Sequence, residues 1–213
     1  MVALTSGSLQ GSLWSGGCEM SHLGPQTLTQ KEQSAILRAT RRNPRDHLIY
    51  SLALGTGLRL AEIVGLNVSD VYTGDGKPKN RVRLRPEIAK NGRAGDVFLP
   101  DALLVKFRRF WRHKATRREG LRPEDPLFCS QSRTRISPRR VQFAFRTWQV
   151  KAGFDRLYPF HCLRHTAVTE VYRRSRDLFL AQRFARHVSP LTTTIYTHPS
   201  DEELFSKLRG LSC

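Results

Sequence analysis

Apolar residues recur every three to four positions over most of the chain, and one short stretch switches to strict alternation. Before residue 27 neither period is visible. Residues 1–26 are rich in Gly and Ser, with Trp14 as the one bulky anchor, and read as a flexible lead. Periodicity starts at "TLTQKEQSAILRAT", where Thr29 and Glu32 have the spacing of a capping box ahead of Ile36 and Leu37 on one helical face. A largely apolar helix is expected after Pro44, through "DHLIYSLALGTG", ending at Gly55 and Gly57; "LRLAEIVGL" then restarts a short one.

Between about 70 and 100 the period falls to two. "RVRLRPE" and "GDVFLP" read as two β segments with "IAKNGRA" as the turn, after a loop at "TGDGKPKN" and a further strand at "DVY". Helical spacing then returns. Leu103, Leu104, Phe107, Phe110 and Trp111 share a face, as do Val141, Ala144, Phe145 and Trp148 of residues 138–152. Leu163, Ala167, Val168 and Val171 do the same over 163–174, and shorter helices are expected at 177–186, 190–197 and 200–209. The fold class is therefore mainly α with a small antiparallel β-sheet (α+β), in one domain over residues 27–213.

Charge changes the picture from a generic helical domain to one with an anionic partner. The 213 residues carry 36 Lys+Arg against 18 Asp+Glu, a net charge of +18. Nucleic acid fits this excess best, since each phosphate contact releases counterions. A membrane surface fits less well: no stretch approaches a spanning helix, and the basic residues are spread over the whole chain. Cys18, Cys129, Cys162 and Cys213 lie far apart, which suits a reducing compartment better than a disulfide framework. The start has no charged n-region or apolar core and is not read as a secretion signal; a cytoplasmic protein is expected.

Four places could carry chemistry. Arg59 follows a glycine-rich helix break, with Glu62 three positions on to hold its guanidinium, although an isolated Arg–Glu spacing of this kind is commonly a surface ion pair. In "HCLRHTAV", His161 and Arg164 are neighbours on one helical face, and Arg59 with Arg164 could grip one phosphate. His165, one residue on, is expected to point elsewhere and to make a structural hydrogen bond. His187 can donate a hydrogen bond, and Tyr196, taken alone, reads as a half-buried aromatic; His198 reads as a solvated loop residue. Lys90 lies in the hairpin turn and gains interest if the hairpin lies against the same phosphate.

A metal site needs weighing, since His161 and His165 have zinc-helix spacing, with Cys162, His187 and His198 as further candidates. The metalloprotease pattern needs Glu directly after the first His, where this chain has Cys162. No metal is expected.

Taken in order, Arg59, Lys90, His161–Arg164, His187 and Tyr196 resemble the catalytic domain of the tyrosine recombinases, the phage-integrase family. The resemblance covers roughly residues 27–209, including "GLRLAEI", "FHCLRHT" and "RHVSPLTTTIYTHPS". It implies that Tyr196 attacks a DNA phosphodiester, leaving a 3′-phosphotyrosyl link and a free 5′-hydroxyl. Arg59 and Arg164 would neutralise the phosphate, His161 would assist as general base, and His187 would hydrogen-bond the transition state. Lys90 would protonate the leaving 5′ oxygen, and Glu62 would orient Arg59. Neither ATP, a metal nor another cofactor is implied.

The partner so implied is double-stranded DNA, contacted by Arg81, Arg83, Arg139 and Arg140 among others. The working form would be a homo-tetramer, with accessory DNA-binding proteins and no membrane, on the nucleoid of a prokaryote. The apolar spacing of Leu204, Phe205, Leu208 and Leu211 suits either a docking helix for a neighbour or packing on its own domain. Two departures stand out. The N-terminal helical clamp domain usual in the family has no counterpart here, and Arg186 stands where a glycine usually precedes the histidine, which removes freedom to adopt positive φ. Alternatives on the same fold are a non-catalytic DNA-binding accessory protein and a type IB topoisomerase-like relaxase.

Overall fold

The computed structural model describes residues 25–197 and, beyond them, Phe205, Leu208 and Arg209. Most of the expected flexible lead, His198, and most of the expected helix at 200–209 lie outside the described residues. The helices are α1 (Gln30–Ala39), α2 (Pro44–Thr56), α3 (Leu60–Gly65), α4 (Val68–Val71), α5 (Asp101–Thr116), α6 (Pro138–Lys151), α7 (His161–Ser175), α8 (Leu178–Ala185) and α9 (Leu191–Thr194); β1 (Arg81–Leu84) and β2 (Gly95–Phe98) form a hairpin between α4 and α5.

Local chemistry explains most of the boundaries. Thr29 accepts a hydrogen bond from the Glu32 N–H while the Glu32 carboxylate accepts from the Thr29 N–H at 2.7 Å, so α1 starts with two orphan donors satisfied. Asn43 caps α2 and Pro44 supplies its first turn. Gly57 ends α2 with φ +62, and a Cβ there would lie 2.9 Å from Phe184 Cε1. Conformation and space both exclude a side chain at this position.

The two strands pair antiparallel, with Val82 opposite Val97 and Arg83 opposite Asp96. Val82, Leu84 and Val97 face the core, and Arg81 and Arg83 face outward. The expected strand at "DVY" is instead the end of α4. The Asp70 carboxylate accepts from the Asn67 N–H at 2.8 Å, an N-terminal cap that starts a helical turn before Tyr72 makes a single bridge to Pro78. The first strand is shorter than its pattern suggested because Pro86 cannot extend the ladder.

One core cluster runs through α2, α5, α6 and the start of α7, with Ile49, Tyr50, Phe107, Phe110, Phe145 and Leu163 among its buried members. Helix α2 packs against both α5 and α7, and α7 packs against α8. A smaller cluster of Val168, Ala181, Ala185 and Tyr196 lies between α7, α8 and the segment after α9. Two polar contacts reach across these layers: the Leu28 N–H donates to Thr166 Oγ1 at 2.8 Å, and Trp148 Nε1 donates to the buried Asp46 at 2.8 Å. Among the described residues no helix is long and apolar enough to cross a membrane.

Candidate active site

Arg59 is the residue from which α3 starts. Its N–H donates to Glu62 Oε2 at 2.7 Å and its guanidinium donates to Glu62 Oε1 at 3.1 Å. The i, i+3 spacing thus puts one carboxylate over both the helix start and the side chain, and Glu62 is buried, with a side chain 2 % exposed. What resembles a surface ion pair in sequence is a half-buried clamp.

Arg164, in the first turn of α7, points inward and is almost fully buried. Its guanidinium donates to the Gly57 carbonyl, and at 2.6 Å to the Ala185 carbonyl. Both acceptors are carbonyls at helix C-termini, where the helix dipole favours a cation. Burial, with the charges of Arg59 and Arg186 beside it, pushes Arg164 down to about 10, still a cation at neutral pH.

Arg186 is the arginine that stands where a glycine usually precedes the histidine. It adopts the left-handed conformation, φ 54°, that ends α8, and its guanidinium donates to Glu62 Oε2 at 2.8 Å with its side chain 15 % exposed. Its stem crosses Gly95, where a Cβ would lie 3.0 Å from Arg186 Cδ. Glu62 therefore serves two arginines, and Arg59, Arg164 and Arg186 together place more positive charge in the site than its one carboxylate offsets.

His187 follows directly. Its N–H bonds the Gln182 carbonyl at 3.1 Å, fixing the backbone, and Nδ1 meets the buried Thr193 hydroxyl at 2.9 Å. Burial first, then Arg164, Arg59 and Arg186, push its pKa down to about 4, so the ring is neutral near pH 7. In the tautomer in which Thr193 donates to Nδ1, Nε2 carries the proton and can donate to an anion.

Tyr196 is buried, 5 % exposed, with its ring nearly parallel to that of His187 at a centroid distance of 6.1 Å. Burial raises the phenol pKa, while the charges of Arg164 and Arg59 lower it. Its hydroxyl lies 2.8 Å from His165 Nδ1, so the expectation that His165 points elsewhere is wrong. His165 is four residues after His161, one helical turn, and the two rings meet edge to face at 4.6 Å. That i, i+4 spacing, which also suits a zinc helix, was the sequence signal available for His165. Cys162 instead faces the core as a thiol pushed up to about 12 by burial. Among the described residues no group of three or more His, Cys, Asp or Glu is disposed to hold a metal.

His161 is the exposed first residue of α7. Lys90 lies in a short turn, Lys90–Gly92, where Asn91 takes φ 61° and Gly92 φ 67°. That turn lines the same depression as Arg59, Glu62, Arg186 and His187, so the hairpin does border the site. The outlying arginines are more dispersed: Arg81 is tied to Asp96 and lies over the Phe98 ring, Arg83 is exposed on the hairpin, and Arg139 and Arg140 are exposed in the first turn of α6.

Comparison with known proteins places this arrangement. The chain is 32 % identical over 161 residues to the tyrosine recombinase XerC of Neisseria gonorrhoeae, covering 72 % of this chain and 47 % of that protein. It is 30 % identical over 179 residues to the XerC of Proteus mirabilis, covering 82 % of this chain and 55 % of the relative. The chain thus spans about half the length of the curated relatives it matches. Among solved structures, XerA recombinase superposes with a TM-score of 0.73 at 25 % identity, over 89 % of this chain and 67 % of that one. A pre-cleavage complex of the XerH site-specific recombinase bound to its difH substrate shares the fold, with a TM-score of 0.67 at 22 % identity, over 87 % of this chain and 54 % of that one. Residues 26–203 match the phage integrase family, and with this fold and these relatives the chain belongs to that family.

Proposed function

We propose that this chain cuts and rejoins double-stranded DNA as a site-specific recombinase, through a 3′-phosphotyrosyl intermediate on Tyr196. The observation that carries the reading is a buried phenol under the charge of Arg164 and Arg59, hydrogen-bonded to one imidazole and stacked on another. A tyrosine packed only for its ring needs none of these. The reaction is phosphoryl transfer, in which a protein chiefly positions groups and stabilises charge.

In this reading Arg59 and Arg164 take the non-bridging oxygens of the scissile phosphate. Both are held before DNA arrives, Arg59 by Glu62 and Arg164 by two carbonyls, so little reorganisation is needed. His187 donates from Nε2 to a phosphoryl oxygen, its ring fixed by Thr193. His161, exposed at the start of α7, reaches the same phosphate from the DNA side, and Lys90 protonates the departing 5′ oxygen from the hairpin turn. Arg83, Arg139 and Arg140 hold flanking phosphates, and Arg81 does so if its pairing with Asp96 is exchanged for one with DNA. The phosphotyrosyl link retains the energy of the phosphodiester, so the chemistry requires neither ATP nor a metal.

The bacterial relatives and the basic charge support action on DNA in the cytoplasm; in this reading four protomers work on two duplexes, with accessory DNA-binding proteins. The test is covalent trapping. The protein is incubated with nicked duplexes from its own genomic flanks, with EDTA and without ATP, and resolved under denaturing conditions. A protein–DNA band that disappears in Tyr196→Phe is expected. Salt-sensitive binding with no such band in the wild type would refute strand transfer and leave a DNA-binding protein.

A further inference from the structure

We propose that Arg186 is a positioning residue for Lys90: it pins the second arm of the Lys90 loop to the carboxylate that also holds Arg59. The inference rests on the strand-transfer reading, in which Lys90 protonates the leaving 5′ oxygen, and says what holds that lysine in place. Arg186 stands in a left-handed turn, φ 54°, that a glycine would take without strain. Strain of this kind persists where surrounding contacts hold it, and here the contacts lead to the hairpin.

The Lys90 loop, residues 85–94, hangs from the last rung of the hairpin, where Leu84 stands opposite Gly95. Its two arms are held differently. On the first arm Arg85 donates to Asp70 Oδ1 at 3.0 Å and to the Gly65 carbonyl at 2.9 Å. Ile88 lies so close to Gly65 that a Cβ there would meet Ile88 Cγ2 at 2.6 Å. The second arm, residues 91–94, is exposed. It ends at Gly95, where the stem of Arg186 crosses and a Cβ would lie 3.0 Å from Arg186 Cδ. The guanidinium beyond that stem donates to Glu62 Oε2 at 2.8 Å, the oxygen that also accepts the Arg59 N–H. One side chain thus ties the arm to the start of α3, with Arg59 and Lys90 lining one depression.

A lysine on an exposed loop has many positions open to it, and proton transfer to a leaving oxygen needs one of them. Arg186 narrows that choice from a distance. Its guanidinium faces Glu62 and its side chain is 15 % exposed, so it acts through the loop rather than on the phosphate. In the step affected, Tyr196 Oη bonds to phosphorus and gives its proton to His161. The P–O5′ bond breaks, and the 5′ oxygen takes its proton from Lys90. Rejoining reverses each transfer.

Arg186→Gly removes the stem and the guanidinium but suits the left-handed turn, so the backbone leading into His187 is kept. Single-turnover cleavage is measured on two nicked duplexes, one natural and one whose bridging 5′ oxygen is sulfur, which leaves as a thiolate and needs no acid. Cleavage of the natural duplex should fall about tenfold or more, while the sulfur duplex is cut within about threefold of wild type. Lys90→Ala should show the same selectivity. Adding Arg186→Gly to it should lower the natural rate by less than about threefold more, because both changes remove one function. Equal losses on the two duplexes would mean that Arg186 serves the phosphate or the fold, and would overturn the assignment. So would a full second loss on top of Lys90→Ala, or a sulfur duplex that does not restore Lys90→Ala. Where Arg186→Gly melts too low to assay, Arg186→Met keeps an unbranched stem without the guanidinium and is read by the same ratio. The same selective loss is expected of it, and equal losses overturn the assignment. A wild type that forms no adduct on either duplex fails the strand-transfer reading and the inference with it; an active wild type with an unselective variant fails the inference alone.

Discussion

Replacing Glu62 by Gln tests whether one carboxylate organises the site. Glu62 accepts from the Arg59 N–H, the Arg59 guanidinium and the Arg186 guanidinium, at 2.7, 3.1 and 2.8 Å. The side chains are 2 % exposed for Glu62, 23 % for Arg59 and 15 % for Arg186, so water does little to compensate. Removing one partner of a buried ion pair typically destabilises by about 3–5 kcal/mol. The amide keeps one oxygen to accept from Arg59, which lowers the expected loss to roughly 2–4 kcal/mol. For a domain of this size each kcal/mol shifts Tm by about 2–4 °C, so a fall of about 6–12 °C follows from a mid-range loss. A circular dichroism melt at low ionic strength measures it. Added sulfate should narrow the gap, because an anion between the arginines substitutes for the lost carboxylate. A fall below about 2 °C, or no response to sulfate, would refute the view that Glu62 balances two confined guanidinium groups.

Three further outcomes follow from the same geometry. Gly57→Ala forces a Cβ to 2.9 Å from Phe184 Cε1 at φ +62 and disturbs a carbonyl that holds Arg164; a loss of about 2–4 kcal/mol in urea unfolding is expected, with cleavage falling alongside. His165 and His187 both have folded-state pKa values of about 4, below the ordinary 6.5, so the unfolded chain binds more protons between those values. Their contribution to stability is present above about pH 6.5 and is lost as pH falls through about 4, and denaturant melts across that window should lose part of their slope in a His165→Asn, His187→Asn double variant. Thr193→Val keeps the shape of a buried residue but removes the hydroxyl at His187 Nδ1; the loss of cleavage, about tenfold, should exceed what the change in stability explains, measured as single-turnover rate beside Tm.

Much of the scaffold is written in local patterns that need no distant partner. Thr29 with Glu32 starts α1, Pro44 starts α2 and Gly57 ends it, and the apolar spacing of α5 and α6 identifies the faces that become buried. The shift to alternation finds the hairpin, because side-chain period follows directly from backbone geometry. Local reading fails where two local signals compete. At "DVY" the β-favouring residues suggested a strand, and the Asn67–Asp70 cap made a helical turn instead.

Within the site, the sequence determined which kinds of group are present: arginines beside a helix break and on a helix face, histidines, a turn lysine and a late tyrosine. It left undecided which of them touch, because those contacts cross long stretches of chain. Tyr196 and His165 are 31 residues apart, and Arg186 reaches Glu62 across 124. Helix spacing put His161, Arg164 and His165 within one turn of each other but not what faces that turn. Only the packing of α7 against α2 and α8 decided that Arg164 grips carbonyls of two other helices while His165 meets the phenol. Likewise, the residue type at 186 warned of strain at positive φ. The tertiary structure decided that the strain is accepted, because the left-handed turn aims a guanidinium at a buried carboxylate.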